Sequence, residues 1–348
     1  MNPGKVTFIS SGETSPTGGM IFRKLSASLP RGYRVAILET PAGFELNSAK
    51  VAGRVAEAWA LRTTEYAPRI EVIPARRKGT PFSPDSPDIL RPLSVADLVY
   101  MGAGSPTYAV RQLRGSLAWQ QVLAGWQQGA ELVLASAAAV AVGLFTLPVY
   151  EIFKAGEDPE WKPGLDLFGP IGWKLAVVSH WNNAEGGEDL DTRRCFIGLE
   201  RFDALARALP PGTTVLGLDE HTAVVLDWTS GTGRVEGKGT ITILRDGREQ
   251  IHPADSEFPL GEMGEYRFPP EPFGVGKKVW EEVRARRAES EADPIPPPEV
   301  VSLLQDRERV RKSGDYAKAD RLRMEIERLG WTVMDTPGGA ILRPLRKG

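Results

Sequence analysis

The sequence predicts an α/β protein: a doubly wound, mostly parallel sheet followed by a small helical module. Three observations predict it. Strand-length apolar runs alternate with helix-length amphipathic stretches through residues 1–250. Several of those runs, such as Leu132-Val133-Leu134, are continuously apolar, the pattern of strands covered on both faces. After the proline run Asp293-Pro-Ile-Pro-Pro-Pro298 the chain turns charged and helical.

Composition narrows the function classes. The chain has 348 residues, enough for two or three domains and a sizeable core. A net charge of -2 gives no global case for nucleic-acid or membrane binding. A single cysteine, Cys195, excludes an internal disulfide and argues against a cysteine-based zinc site. No apolar run reaches the ~18 residues of a membrane span. Met1-Asn-Pro-Gly-Lys leads directly into a strand, without the pattern of a signal peptide. The expectation is a cytoplasmic protein with no metal and no organic cofactor.

Val6–Ile9 reads as the first strand. It runs into the polar, glycine-rich loop Ser10-Ser-Gly-Glu-Thr-Ser-Pro-Thr-Gly-Gly19 and then a helix over 20–29. That loop lacks the dinucleotide and P-loop patterns, so a plain strand-to-helix connection is expected. Arg34–Leu38, Ile70–Ile73 and Ala96–Met101 read as strands, and 47–62 as a helix. The stretch 76–93, rich in proline, serine and charge, reads as a long surface loop. Gly102-Ala-Gly-Ser-Pro-Thr107 leads into helices over 108–115 and 119–128. The stretch 131–143 reads as a buried strand, a sharp turn at Ser136 and a helix of alanine and valine. A loop-rich segment, 148–172, follows. Leu175–Ser179 and Thr214–Asp219 read as strands separated by a helix over 192–208 that carries Arg193, Arg194 and Arg201. Short antiparallel strands close the domain. Residues 251–297 read as a proline-rich connection with one charged helix. Residues 298–348 read as two helices broken near Ser313-Gly-Asp315, then a hairpin turning at Pro337-Gly-Gly339.

Ser136 sits between a strand and a helix, crowded by Ala135, Ala137, Ala138 and Ala139. Two readings fit: a plain N-cap, or a hydroxyl exposed on a tight elbow at the carboxyl edge of the sheet. His180, one of three histidines, ends a strand on the same edge, and Glu220 ends another. Each alone fits a structural histidine or a surface charge. Together they supply a nucleophile, a base and an orienting acid. Gly102, Ala103 and Gly104 can turn backbone N–H groups toward an oxyanion, and the Ala137 N–H at the helix start is a second donor.

Gly102-Ala-Gly-Ser-Pro, Ala135-Ser136-Ala-Ala-Ala, Val178-Ser-His180-Trp and Gly217-Leu-Asp-Glu220-His-Thr-Ala223 together resemble the dipeptidase E and cyanophycinase family over residues 5–245. The resemblance implies a class I glutamine amidotransferase-like fold with a flavodoxin-like core. It also implies serine-type hydrolysis of a peptide or amino-acid-derived small substrate by Ser136, His180 and Glu220, with Glu151 as the alternative acid. The family's glycine two residues after the serine is Ala138 here, which would be strained if that position needs φ > 0. Family members cleave next to acidic residues, which implies Arg193, Arg194 or Arg201 as a carboxylate clamp; a solvated helix face is the other reading of these arginines.

The tail, Asp306–Ile326 followed by Gly330-Trp-Thr-Val-Met-Asp-Thr-Pro-Gly-Gly, resembles the C-terminal end of cysteinyl-tRNA synthetases. The catalytic signatures of those enzymes are absent from the sequence. The resemblance implies tRNA or other RNA contact through Arg307, Arg311, Lys312 and Arg321. Interleaved acidic residues leave packing, contact with a protein partner, or homo-oligomerisation open. The alternative to a hydrolase is a catalytically weak or inactive binding protein that uses this module.

Overall fold

Each apolar run named above forms a strand in the computed structural model, which describes residues 2–291, 296–336 and 339–345. The body begins β1 (Val6–Ile9), α1 (Pro16–Ser26), β2 (Arg34–Leu38), α2 (Ser48–Arg62), β3 (Arg69–Ile73), α3 (Pro87–Leu90), β4 (Leu98–Met101), α4 (Pro106–Leu113), α5 (Leu117–Gln127), β5 (Glu131–Ala135) and α6 (Ala137–Ala141). It continues β6 (Phe145–Thr146), α7 (Val149–Phe153), β7 (Lys162–Pro163), β8 (Lys174–Val178), α8 (Leu199–Ala208), β9 (Thr213–Leu218), β10 (Thr222–Asp227), β11 (Thr232–Gly237), β12 (Thr240–Arg245), β13 (Arg248–Pro253), β14 (Glu257–Pro259) and α9 (Lys277–Glu291). Then come α10 (Pro298–Lys312), α11 (Tyr316–Arg328), β15 (Trp331–Thr336) and β16 (Gly339–Pro344). The expected turn residues Pro337 and Gly338, and 293–295 of the proline run, lie outside the described residues.

Local chemistry explains the helix starts. Ser15, Ser105 and Ser116 cap α1, α4 and α5 by accepting from the N–H three residues on. Pro16 and Pro106 occupy the first helical positions, where a missing N–H costs nothing.

The strands of the body, β1 to β14, form two sheets rather than one. An eight-stranded sheet runs β14-β11-β10-β1-β5-β4-β2-β3, parallel from β1 through β3 and antiparallel from β10 outward. A six-stranded sheet runs β13-β12-β9-β8-β6-β7. The chain crosses between them at Asp219–His221, where His221 adopts φ 58°. The Asp219 carboxylate holds that crossing by accepting from the Thr240 N–H and hydroxyl at 2.9 and 2.8 Å. The interior between the sheets is one large apolar cluster that includes Phe8, Leu134, Phe168, Leu175 and Leu216.

Residues 251–291 pack on the body. β13 and β14 extend one sheet each. Tyr266 and Phe268 close an aromatic cluster with Trp126, Trp173 and Trp228. Helix α9 lies against α5. The C-terminal module is two helices plus a hairpin around Val300, Ile326, Trp331, Val333 and Leu342. Arg307, 3% exposed, lies within it and grips Asp335 through two hydrogen bonds at 2.9 and 3.0 Å. Among the described residues, no helix is long and apolar enough to cross a membrane.

Candidate active site

Five strand ends converge on one spot. β1 ends at Ser10-Ser11, β4 at Gly102, β5 at Ser136, β8 at His180 and β9 at Glu220. Ser10 joins the two sheets there: its hydroxyl accepts from the His180 N–H at 2.7 Å and donates to the Leu218 carbonyl at 3.0 Å. Parallel strands all end on the same edge, and the Ser10 bonds bring the second sheet's edge against the first.

Ser136 adopts φ 48°, ψ -113°, an uncommon conformation for a residue with a Cβ. It is the tight elbow between β5 and α6. Its side chain makes no capping bond to α6, so the plain N-cap reading does not describe it. Oγ instead lies 2.9 Å from His180 Nε2. Ala138 is not among the residues with positive φ; its N–H donates to the Gly102 carbonyl at 3.3 Å. The unusual backbone is at Ser136 itself, and alanine two residues on is accommodated.

His180 Nδ1 lies 2.9 Å from Glu220 Oε1. The same carboxylate accepts from Asn183 Nδ2 at 3.0 Å and from the Ser11 hydroxyl. Burial alone would raise the Glu220 carboxyl, but the bonds from His180, Ser11 and Asn183, with the imidazole charge, outweigh it and hold it down to about 2. A carboxylate that stays ionised beside Nδ1 keeps the hydrogen there and leaves Nε2 free to accept from Ser136. Glu13, facing the same spot, is pushed upward mainly by burial.

Of the expected oxyanion donors, Ala137 starts α6, where the N–H has no intrahelical acceptor. Gly104 and Ala137 line the cavity beside Ser136, and Gly102 and Ala103 belong to the same loop. Gly104 adopts φ 145° and a Cβ there would lie 2.0 Å from the Pro41 carbonyl oxygen, so glycine lets this loop pass the Pro41 turn.

Other expected residues lie apart from this network. Glu151, in α7, accepts from the Thr107 hydroxyl at 2.5 Å and makes no bond to His180. Arg193 and Arg194 are not on a helix, because α8 begins only at Leu199. Arg193 pairs with Asp191 at 2.8 Å. Arg194 stacks its guanidinium 3.6 Å above the Trp181 ring and donates to the Trp181 carbonyl. Neither lines the cavity. Cys195 does line it: 5% exposed, its thiol is pushed up to about 12 by burial and then by Glu220, so it stays protonated. Ser10, Ser11 and Asn183 were not singled out in the sequence. Their signal was faint: a serine pair at a strand end, and two asparagines just after His180.

Comparisons with known proteins fit this architecture. Residues 293–343 match the family model described as the cysteinyl-tRNA ligase anticodon binding domain. The chain is 30% identical over 176 residues to the cysteine–tRNA ligase of Rubrobacter xylanophilus, covering 48% of this chain and 32% of that one. It is 55% identical over 40 residues to the cysteine–tRNA ligase of Salinibacter ruber, covering 12% of this chain and 8% of that one. It therefore spans about a third, or less, of the length of these curated relatives. A solved peptidase from an acI-B1 Actinobacterium superposes with a TM-score of 0.58 at 20% identity, over 74% of this chain and 97% of its own. The chain thus carries, over most of its length, a fold like that of a solved peptidase, and at its C-terminal end a module similar to the anticodon-binding domain of cysteinyl-tRNA ligases.

Proposed function

We propose that this chain is a serine hydrolase acting on a peptide or amide bond. One observation carries the reading: Ser136 Oγ, His180 Nε2, His180 Nδ1 and Glu220 Oε1 form an unbroken chain of 2.9 Å contacts. His180 would take the Ser136 proton as Oγ bonds to the substrate carbonyl carbon. The charge moving onto the carbonyl oxygen would meet the Ala137 N–H and the Gly102–Gly104 loop. His180 would return the proton to the leaving amine, and water would then release the acyl group from Ser136. Glu220 would orient the imidazole and stabilise its charged form. The peptidase-like fold supports this reading. The test is labelling by a fluorophosphonate: wild type reacts and Ser136→Ala does not. An unlabelled wild type refutes it.

A second reading, RNA contact through residues 298–348, rests on the family match. It applies whether or not the body is catalytic. Three of the four basic residues expected to serve it are committed elsewhere: Arg307 and Arg311 pair with Asp335, and Lys312 pairs with Glu57 of the body. Arg321 remains exposed. RNA contact predicts tRNA binding that weakens steeply with salt. No binding at low salt leaves the module a packing or partner-binding element.

A further inference from the structure

We infer that the pocket beside Ser136 selects a large apolar side chain, such as leucine or phenylalanine, on the residue whose carbonyl is attacked, and disfavours aspartate there. This rests on the hydrolase reading above. The cavity, about 270 Å³, opens on Ser136 and His180. Its wall is Val140, Val149, Tyr150, Phe153, Cys195 and Phe196. Val140, Val149 and Cys195 are buried at 1%, 7% and 5% exposure, and the Phe153 and Phe196 rings meet at 5.3 Å. Cys195 is a protonated thiol and behaves there as a small apolar group.

The charges are at the edge. Lys154 and Glu185 line the cavity, and both are exposed and of opposite sign. The Lys154 ammonium sits 4.6 Å over the Phe153 ring, in solvent, where its attraction for a carboxylate is screened. The arginines that could hold a carboxylate are engaged with Asp191 and Trp181. An aspartate side chain entering this wall would lose water with no fixed buried cation to replace it. An apolar side chain gains burial from every surface it meets.

Matched α-aminoalkyl diphenyl phosphonates bearing a leucine-like or an aspartate-like side chain test this directly. Ser136 Oγ bonds to phosphorus, phenoxide leaves, and the hydroxyl proton passes through His180 to it. The leucine-like reagent should label Ser136 roughly tenfold or more faster. In Phe153→Arg, which places a cation in the wall, that ratio should fall by about the same factor. A plain fluorophosphonate reports the nucleophile independently. If it labels Ser136 while the aspartate-like reagent is equal or faster, or neither directed reagent reacts, the pocket assignment is overturned and the hydrolase reading stands. An unchanged ratio in a Phe153→Arg protein that still reacts with the fluorophosphonate overturns it as well. If that variant does not react, the wild-type ratio decides. If the fluorophosphonate fails to label wild type, both readings fall together.

Discussion

Replacing Glu220 by glutamine keeps the side chain's shape and removes its charge. The distance of its carboxyl from the ordinary 4.5 to about 2 is worth about 3 kcal/mol. That figure is net of the cost of burial, which the imidazole 2.9 Å away, Ser11 and Asn183 together outweigh. The charged carboxylate would stabilise positive charge on the ring. In the proposed reaction that charge, the imidazolium, forms as Ser136 attacks. A hydrogen bond to a charged group contributes about 2 kcal/mol, so losing it would slow the reaction about 30-fold. A glutamine amide can also donate to Nδ1, which drives the hydrogen to Nε2 and removes the base. Together the two effects should slow fluorophosphonate labelling of Ser136 by about 100- to 1,000-fold, with thermal unfolding of the variant as the check that it folds. A Glu220→Gln protein that folds and labels within about threefold of wild type would refute the role given to this carboxylate.

Two further outcomes follow from groups outside the site. Burial raises the Glu131 carboxyl from 4.5 to about 7. The unfolded chain therefore loses this proton at lower pH than the folded chain does, and Glu131 lowers stability as pH rises through that window, by up to about 3 kcal/mol above it. Glu131→Gln should raise the melting temperature at pH 8 and leave it unchanged near pH 4; an equal gain at both would show that charge is not the cause. Arg307→Ala removes a 3%-exposed guanidinium from Asp335, itself 44% exposed in its side chain and still paired with Arg311. It should destabilise the C-terminal module by about 2 kcal/mol, read as faster hydrogen exchange over 298–336 with the body's exchange unchanged; unchanged exchange in the module would remove Arg307 from its stability.

Much of the fold was legible because strand and helix leave different periods in the chain. The runs at Val6–Ile9, Arg34–Leu38, Glu131–Ala135, Lys174–Val178 and Thr213–Leu218 are apolar enough to announce strands buried on both faces. The helix expected over 192–208 begins only at Leu199, because Arg194, Cys195 and Phe196 all take positive φ, which hydropathy does not register. Residues 257–273, within the stretch read as a proline-rich connection, supply a strand and the aromatic side chains that seal Trp126 and Trp228. Proline content hid that packing, since contact across the core has no local period.

The residues proposed to carry chemistry were legible in the sequence: a serine in a small-residue turn, a histidine and a glutamate each closing an apolar run. The residue types and their places at strand ends are local properties. Tertiary structure decided which groups meet. It divided the strands between two sheets, brought their edges together through the Ser10 hydroxyl, and paired His180 with Glu220 while Glu151 went to Thr107. It also turned Arg194 onto Trp181 and left an apolar wall beside Ser136. Hydrogen-bond partners are set by positions within a few ångströms, and groups far apart along the chain reach such positions only when it packs.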